Sequence, residues 1–257
     1  MRVTVVQLSN DPSQLQSDMR KLSQHVQAEK SEFVLLPEMT FSPWLASNRD
    51  SNDRQWQEAV ALHQQWIEQF SALALPPLVS TRPIVNGNGS RRNQGYLWTE
   101  NNGVQAIHEK YYLPNEPGYW EASWYDMGDS LFDTARLGEV RIGIQICTEM
   151  WFFQHSRELG QKQVDLLCVP RVTPHASIDK WLAGGQAGAV VSGAFHLSSN
   201  MYLPESSAAD IGGLSWIISP EGDVLGTTDP DNPFITIDVD LNISDLAKHT
   251  YPRYVKT

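Results

Sequence analysis

Glu38, Lys110 and Cys147 each stand where a run that reads as a β-strand gives way to a loop. Glu38 follows the apolar run Phe33–Leu36 in LLPEM, and Cys147 closes RIGIQIC. In open α/β sheets functional groups gather at such strand ends, so a carboxylate and a thiol could meet in one crevice. A free thiol has a pKa near ~8.5 and is only a few per cent thiolate at neutral pH. An adjacent base and a nearby cation would both favour its attacking form. Lys110 lies in IHEKYYLP, followed by Tyr111, Tyr112, Leu113 and Pro114. That apolar setting would desolvate the ammonium and pull its pKa down. Glu121, just after Tyr119 and Trp120, is a carboxylate that could hold a buried lysine charged. Plain structural roles stay open for each: a capping glutamate, a small buried hydrophobe, a solvated surface lysine.

Other residues near these strand ends are candidates for binding. Tyr112, Trp120 and Trp151 could wall a pocket or simply pack the core. Asn115 and Glu116 could line its entrance. Arg171, after Pro170 at a further strand end, could bind a substrate carboxylate or lie at the surface.

The elements needed to position these groups can be read from periodicity. A strand at Val3–Leu8 precedes a helix with Asp11 as N-cap, Pro12 at its first position and Gln14 where a capping-box partner belongs. Leu15, Met19, Leu22 and Val26 share one helical face. A second helix is predicted over about Asp53–Leu73, with Trp56, Val60, His63, Ile67 and Phe70 inward. Strands are predicted at Leu78–Val85, Gly95–Thr99, Val104–His108, Val140–Ile146, Val164–Val169, Leu214–Ile218, Val224–Gly226 and Phe234–Val239. Between them fall an irregular aromatic stretch, Tyr111–Asp129, a helix to about Leu159 and another over Ile178–Gly188. No linker, repeat or low-complexity tract interrupts this α/β pattern, so a single domain over residues 1–257 is expected.

Composition narrows the function. At 41% hydrophobic and 19% charged residues, the chain can bury a sizeable core and is not disordered. A net charge of −11 argues against tracking nucleic-acid phosphates or docking on anionic lipid. Two cysteines, Cys147 and Cys168, cannot build a disulfide framework, and no Cys/His cluster has zinc spacing. No apolar run approaches the ~20 residues of a membrane span, and the first residues read as a strand rather than a signal peptide. A reduced, cytoplasmic protein is expected. There is no GxSxG elbow, Walker loop or GxGxxG.

Three segments together resemble the signature blocks of the nitrilase superfamily of carbon–nitrogen hydrolases: LLPE ending at Glu38, EKYYLPNEPGYWE at Glu109–Glu121, and IGIQICTEMWF around Cys147. They occur in the family's order, and the resemblance extends to VDLLCVP at Val164–Pro170, Ser198-Ser199-Asn200 and GLSWIISPEGDVLG at Gly213–Gly226. It implies a four-layer αββα sandwich built from two mixed sheets, often paired into a homodimer or higher homo-oligomer. It implies a triad of Glu38, Lys110 and Cys147, with Glu121 as accessory glutamate and the backbone N–H of Thr148 joining Lys110 around an oxyanion. The implied reaction is hydrolysis of a small amide or N-carbamoyl substrate through a cysteine thioester, with no metal or organic cofactor.

Some features depart from the family pattern. Thr148-Glu149 follows the cysteine where an aromatic or Asn usually precedes the acid. True nitrilases usually carry Trp-Glu there on a longer chain, so nitrile hydrolysis is the second choice. Gly184-Gly185-Gln186 stands near Trp181 where an Arg-Ala and a Glu are common, which implies an altered helix anchor or substrate contact. A non-catalytic binding or assembly protein on the same fold would be expected to lose Glu38, Lys110 or Cys147, and all three are present. With 257 residues the chain is expected to hold the catalytic fold with little to spare, as a stand-alone hydrolase.

Overall fold

The computed structural model describes residues 1–203 and 210–255. The chain opens with β1 (Arg2–Leu8), then α1 (Pro12–Ala28). The Asp11 carboxylate accepts from the N–H groups of Ser13 (3.0 Å) and Gln14 (3.3 Å), satisfying donors that a helix start leaves unpaired. The Gln14 side chain does not close the capping box. It donates forward to Asp18 at 2.7 Å. Leu15, Met19, Leu22 and Val26 are the buried stripe of α1, as their spacing requires. Each such side chain contributes about 1.5–3 kcal/mol when fully buried.

β2 (Phe33–Leu35) leads to α2 (Asp53–Ile67), which ends earlier than its periodicity suggests. Beyond Ile67 the chain tightens into turns closed by Gln69 N–H to Trp66 and Phe70 N–H to Ile67, yet Phe70 still reaches the core. β3 (Leu78–Val85), β4 (Arg91–Thr99) and β5 (Gly103–Glu109) form an antiparallel meander. A single helical turn, α3 (Glu121–Trp124), sits inside the aromatic stretch. The second half holds β6 (Thr134–Leu137), β7 (Val140–Ile144), α4 (Phe153–Gln161), β8 (Leu166–Arg171), α5 (Ile178–Ser192) and β9 (Phe195–Met201). β10 (Trp216–Ile218), β11 (Val224–Thr227), β12 (Phe234–Asp238) and α6 (Leu241–Ala247) complete it.

All twelve strands join one mixed sheet, with the path β5-β4-β3-β2-β1-β9-β8-β7-β6 and β10, β11 and β12 added beside it. The expectation of two sheets meets a seam: β1 pairs in parallel with β9 through Gln7–Asn200 and Leu8–Met201, joining the halves. The sheet curls into a nearly barrel-like form. Val3, Val5, Phe33, Leu35 and Val79 of one half share a core with Ile142, Ile144, Leu166, Cys168 and Leu197 of the other. α1 covers the outer face of the first half, and α5 that of the second.

α5 runs four residues past Gly188 and stops at Gly193, whose φ of 67° suits a left-handed helix end. The glycines that depart from the family pattern have a packing reason here. A Cβ on Gly184 would lie 2.8 Å from the Met150 methyl and 2.9 Å from the Trp151 ring. One on Gly185 would lie 2.8 Å from Nε1 of Trp216. The helix can approach both indoles only because these side chains are missing.

Strand direction now explains the clustering. β1 is parallel to β2 and β9, β9 to β8, and β8 to β7. β3 is parallel to β2, and two antiparallel steps make β5 parallel to β3. The C-terminal ends of β2, β5, β7 and β8 therefore open at the same end of the sheet.

Candidate active site

Glu38 follows β2 and is fully buried. Its Oε1 accepts from Lys110 Nζ at 2.8 Å and from Asn93 Nδ2 at 2.7 Å. Its Oε2 has no hydrogen-bond partner among the described residues. Lys110 leaves the end of β5, where its N–H is anchored to the Asn93 carbonyl of β4 at 2.9 Å. Its ammonium also donates to Glu121 Oε2 at 2.5 Å, so two carboxylates share one buried cation. Tyr125 OH donates to the same Glu121 oxygen.

These pairings set the charges. Burial alone would lower the Lys110 pKa, the direction its apolar context predicts, but Glu121 and Glu38 outweigh it and hold the ammonium well above its usual range. Lys110 is thus a fixed cation. Burial pushes the Glu121 carboxyl up to about 7 against the opposing pull of Lys110.

Cys147 begins a short 3₁₀ helix, Cys147–Trp151, three residues on from the end of β7, which stops at Ile144 rather than at the predicted Ile146. Its φ is +50°, a left-handed conformation costly for a side chain with a Cβ. The thiol is 3% exposed and lies 3.7 Å from the Val172 carbonyl. Burial, and then the Glu38 carboxylate, push its pKa far up, while Lys110 pulls the other way. Burial and the Glu38 charge therefore favour the neutral thiol at Cys147. A thiol in this setting would have to give up its proton before it could attack, rather than stand ready as a thiolate.

Cys147 and Glu121 open into a cavity of about 330 Å³ walled by Trp151, Trp181, Tyr119 and Val172, with Glu116, Thr173 and Lys180 as polar lining. A neighbouring cleft shares Pro114, Glu116, Thr148, Trp151 and Trp181 with it and leads outward past Tyr112 and Asn115.

The sequence pattern of the carbon–nitrogen hydrolases matches residues 2–248, nearly the whole chain. This protein is a member of the carbon–nitrogen hydrolase family. The hydrolase is 23% identical over 244 residues to a citrullinase of Francisella tularensis, covering 89% of this chain and 85% of that one. It is 26% identical over 140 residues to an N-carbamoylputrescine amidase of Arabidopsis thaliana, covering 48% of this chain and 46% of the relative. The fold is shared with an amidase from Nesterenkonia sp. AN1, with a TM-score of 0.76, 19% identity and coverage of 95% and 92%. That structure is of a mutant amidase and shows covalent addition of the acetamide moiety of fluoroacetamide at the active-site cysteine.

The hydrolase does not bring every candidate to the cavity. Glu121, Thr148 and Trp151 line it, and Tyr112 and Asn115 line the outer cleft. Tyr112 stacks on Phe152 and pairs its hydroxyl with His155 at 2.9 Å. Trp120 lies under the Arg49 guanidinium and lines neither space. Arg171 is fully buried, and each of its three guanidinium nitrogens already donates once, to Ser198 (2.6 Å), Thr173 (2.7 Å) and the Leu214 carbonyl (2.8 Å), above the Trp216 ring. It lines neither the cavity nor the outer cleft. The sequence reading missed Asn93, Tyr125, Thr173 and Lys180. Asn93 faces the site only through strand pairing, which leaves no local signal. Tyr125 is four residues after Glu121, a spacing that places two side chains together on a helical turn.

Proposed function

We propose that this hydrolase cleaves the carbon–nitrogen bond of a small amide or N-carbamoyl compound through a Cys147 thioester. The observation that carries the reading is the Lys110 ammonium held between Glu38 and Glu121 beside a cavity that Cys147 lines. Glu38, through its unpartnered Oε2, takes the thiol proton as Sγ attacks the carbonyl carbon. The oxyanion that forms is met by Lys110 and by the Thr148 N–H, in the first turn of the 3₁₀ helix, where backbone donors lack partners within the helix. Glu38 then returns the proton to the nitrogen as the C–N bond breaks, releasing ammonia or amine. Water, losing a proton to the same carboxylate, attacks the thioester, and Sγ leaves with that proton to restore the thiol. Glu121 holds Lys110 in place.

Support for the carbamoyl branch comes from the names of two relatives, a citrullinase and an N-carbamoylputrescine amidase. The cavity suits a small substrate with a polar tail, because beside Cys147 and Glu121 its apolar walls also carry a second carboxylate, Glu116, and an ammonium, Lys180. The same reading carries the four-layer sandwich and a cytoplasmic homo-oligomer. Among the described residues no helix is long and apolar enough to cross a membrane.

The test is ammonia release from a panel of amides, carbamoyl compounds and nitriles, with Cys147→Ala as control. Release from amides or carbamoyl compounds that vanishes in the variant is the expected result. Release from nitriles alone, or undiminished release by Cys147→Ala, overturns the proposal.

A further inference from the structure

His108 and Glu149 are buried side chains that line neither the cavity nor the outer cleft. The Glu149 carboxylate is nevertheless bonded to both sides of the candidate site. Its Oε1 accepts the Tyr111 N–H at 2.7 Å, and its Oε2 accepts the Ile146 N–H at 2.7 Å. Tyr111 is the residue after Lys110, and Ile146 is the residue before Cys147. One carboxylate therefore ties the end of β5 to the turn that presents the thiol.

The clamp is itself held. His108 Nε2 lies 2.9 and 2.8 Å from the two Glu149 oxygens, and its Nδ1 lies 2.9 Å from the Leu131 carbonyl. Both ring nitrogens face acceptors, so both carry hydrogen and the ring is an imidazolium. From the other side, Gln145 Nε2 donates to the Glu149 carbonyl at 3.0 Å, and Ser156 Oγ donates to Gln145 at 2.8 Å. Two residues before Lys110, His108 shares its strand face, and Glu149 stands two residues after Cys147. Each candidate thus carries its own half of the tie.

We propose that the His108–Glu149 ion pair is a positioning device that fixes Lys110 and Cys147 relative to each other during the reaction. It rests on the reading of those two residues as catalytic. It assigns Glu149 no contact with substrate. A buried pair is a poor source of net stability, because desolvation of both charges offsets their attraction. What it supplies is geometry, and misplacement by about 1 Å can cost roughly 10²-fold in rate.

The experiment compares wild type, Glu149→Gln and His108→Gln, each with its Cys147 thiol counted by alkylation so that kcat refers to intact sites. An amide nitrogen cannot accept, so Glu149→Gln loses either the Tyr111 or the Ile146 bond. The expected result is a fall in kcat per thiol of about 10- to 100-fold with KM within about twofold. His108→Gln keeps a neutral donor to Glu149 and is expected to lose about fivefold, again in kcat alone. If Glu149→Gln does not fold, His108→Gln decides by the same measurement. Unchanged kcat per thiol with a lowered Tm overturns the proposal, because the pair would then only support the fold. Cys147→Ala is run alongside. If it stays active, the underlying reading has failed, whatever the Glu149 variant does.

Discussion

Cys147 and Cys168 are near neighbours in the sheet with contrasting surroundings. Cys168 sits within β8 opposite Ile144, and its carbonyl accepts the Gln145 N–H just before the Cys147 turn. Both side chains are buried, and both thiols are pushed far above their ordinary pKa, in each case first by burial. Burial is the whole cause at Cys168. At Cys147 the charges of Glu38, Lys110 and Glu121 act as well, the backbone is left-handed, and the side chain reaches a cavity. A raised thiol pKa therefore does not separate a reactive cysteine from an inert one. On the proposed reading, access and a paired acid and cation do.

The largest effect expected from this contrast is in alkylation. Iodoacetamide should modify Cys147 and leave Cys168 untouched in the folded protein, with hydrolysis lost in step with the first label. Since burial raises the Cys147 thiol above the ~8.5 of a free cysteine, the labelling rate should keep climbing past that pH. Peptide mapping across pH checks both statements. Equal labelling of the two cysteines would erase the comparison.

Glu38→Gln sharpens it by moving two readouts in opposite directions. Removing the base should lower kcat by roughly 10²- to 10⁴-fold. The same change removes a negative charge that raises the thiol pKa while leaving Lys110 in place. Alkylation of Cys147 should then become faster at pH 8 as hydrolysis collapses. A parallel loss of both would mean that the variant had only disturbed the turn.

Much of this contrast is legible in the amino-acid order alone. Strand-end placement alone left structural roles open for Glu38, Lys110 and Cys147; the resemblance of three segments to the family singled them out, and strand direction brings them to one end of the sheet. The buried stripe of α1 followed from its spacing residue by residue. What escaped was set by partners distant in sequence. The apolar neighbours of Lys110 suggested a depressed ammonium and Glu121 was the carboxylate expected to oppose them, but the second carboxylate, Glu38, reaches the ammonium from 72 positions away. Arg171 looked like a carboxylate binder because strand ends expose side chains. Its guanidinium instead turns inward onto Ser198, Thr173 and Trp216. The β1–β9 seam rests on two residue pairs almost two hundred positions apart, and no local pattern announces it.

Between the two cysteines in expected effect lies the wall of the Cys147 cavity. Gly184→Ala would place a methyl 2.8–2.9 Å from the Met150 methyl and the Trp151 ring. Overpacking of that kind costs about 1–3 kcal/mol, partly offset by the ~1 kcal/mol that alanine gains over glycine in a helix. Because Trp151 lines the cavity, the strain should appear in KM more than in kcat. A lowered Tm with unchanged KM would place the displacement on the Met150 side.

Cys168→Ala is the smallest change and isolates what burial alone does. It deletes one heavy atom from the core between Ile142, Leu166 and Leu197. By analogy with removal of a single buried methyl group, the cost is about 1 kcal/mol. Neither kcat nor KM should move, because no charged group of the site acts on this thiol. Denaturant unfolding alongside a kinetic assay measures both. A loss of activity beyond the drop in folded fraction would show that β8 transmits strain to Val172, whose carbonyl faces the Cys147 thiol. The two cysteines would then be mechanically coupled despite their different chemistry.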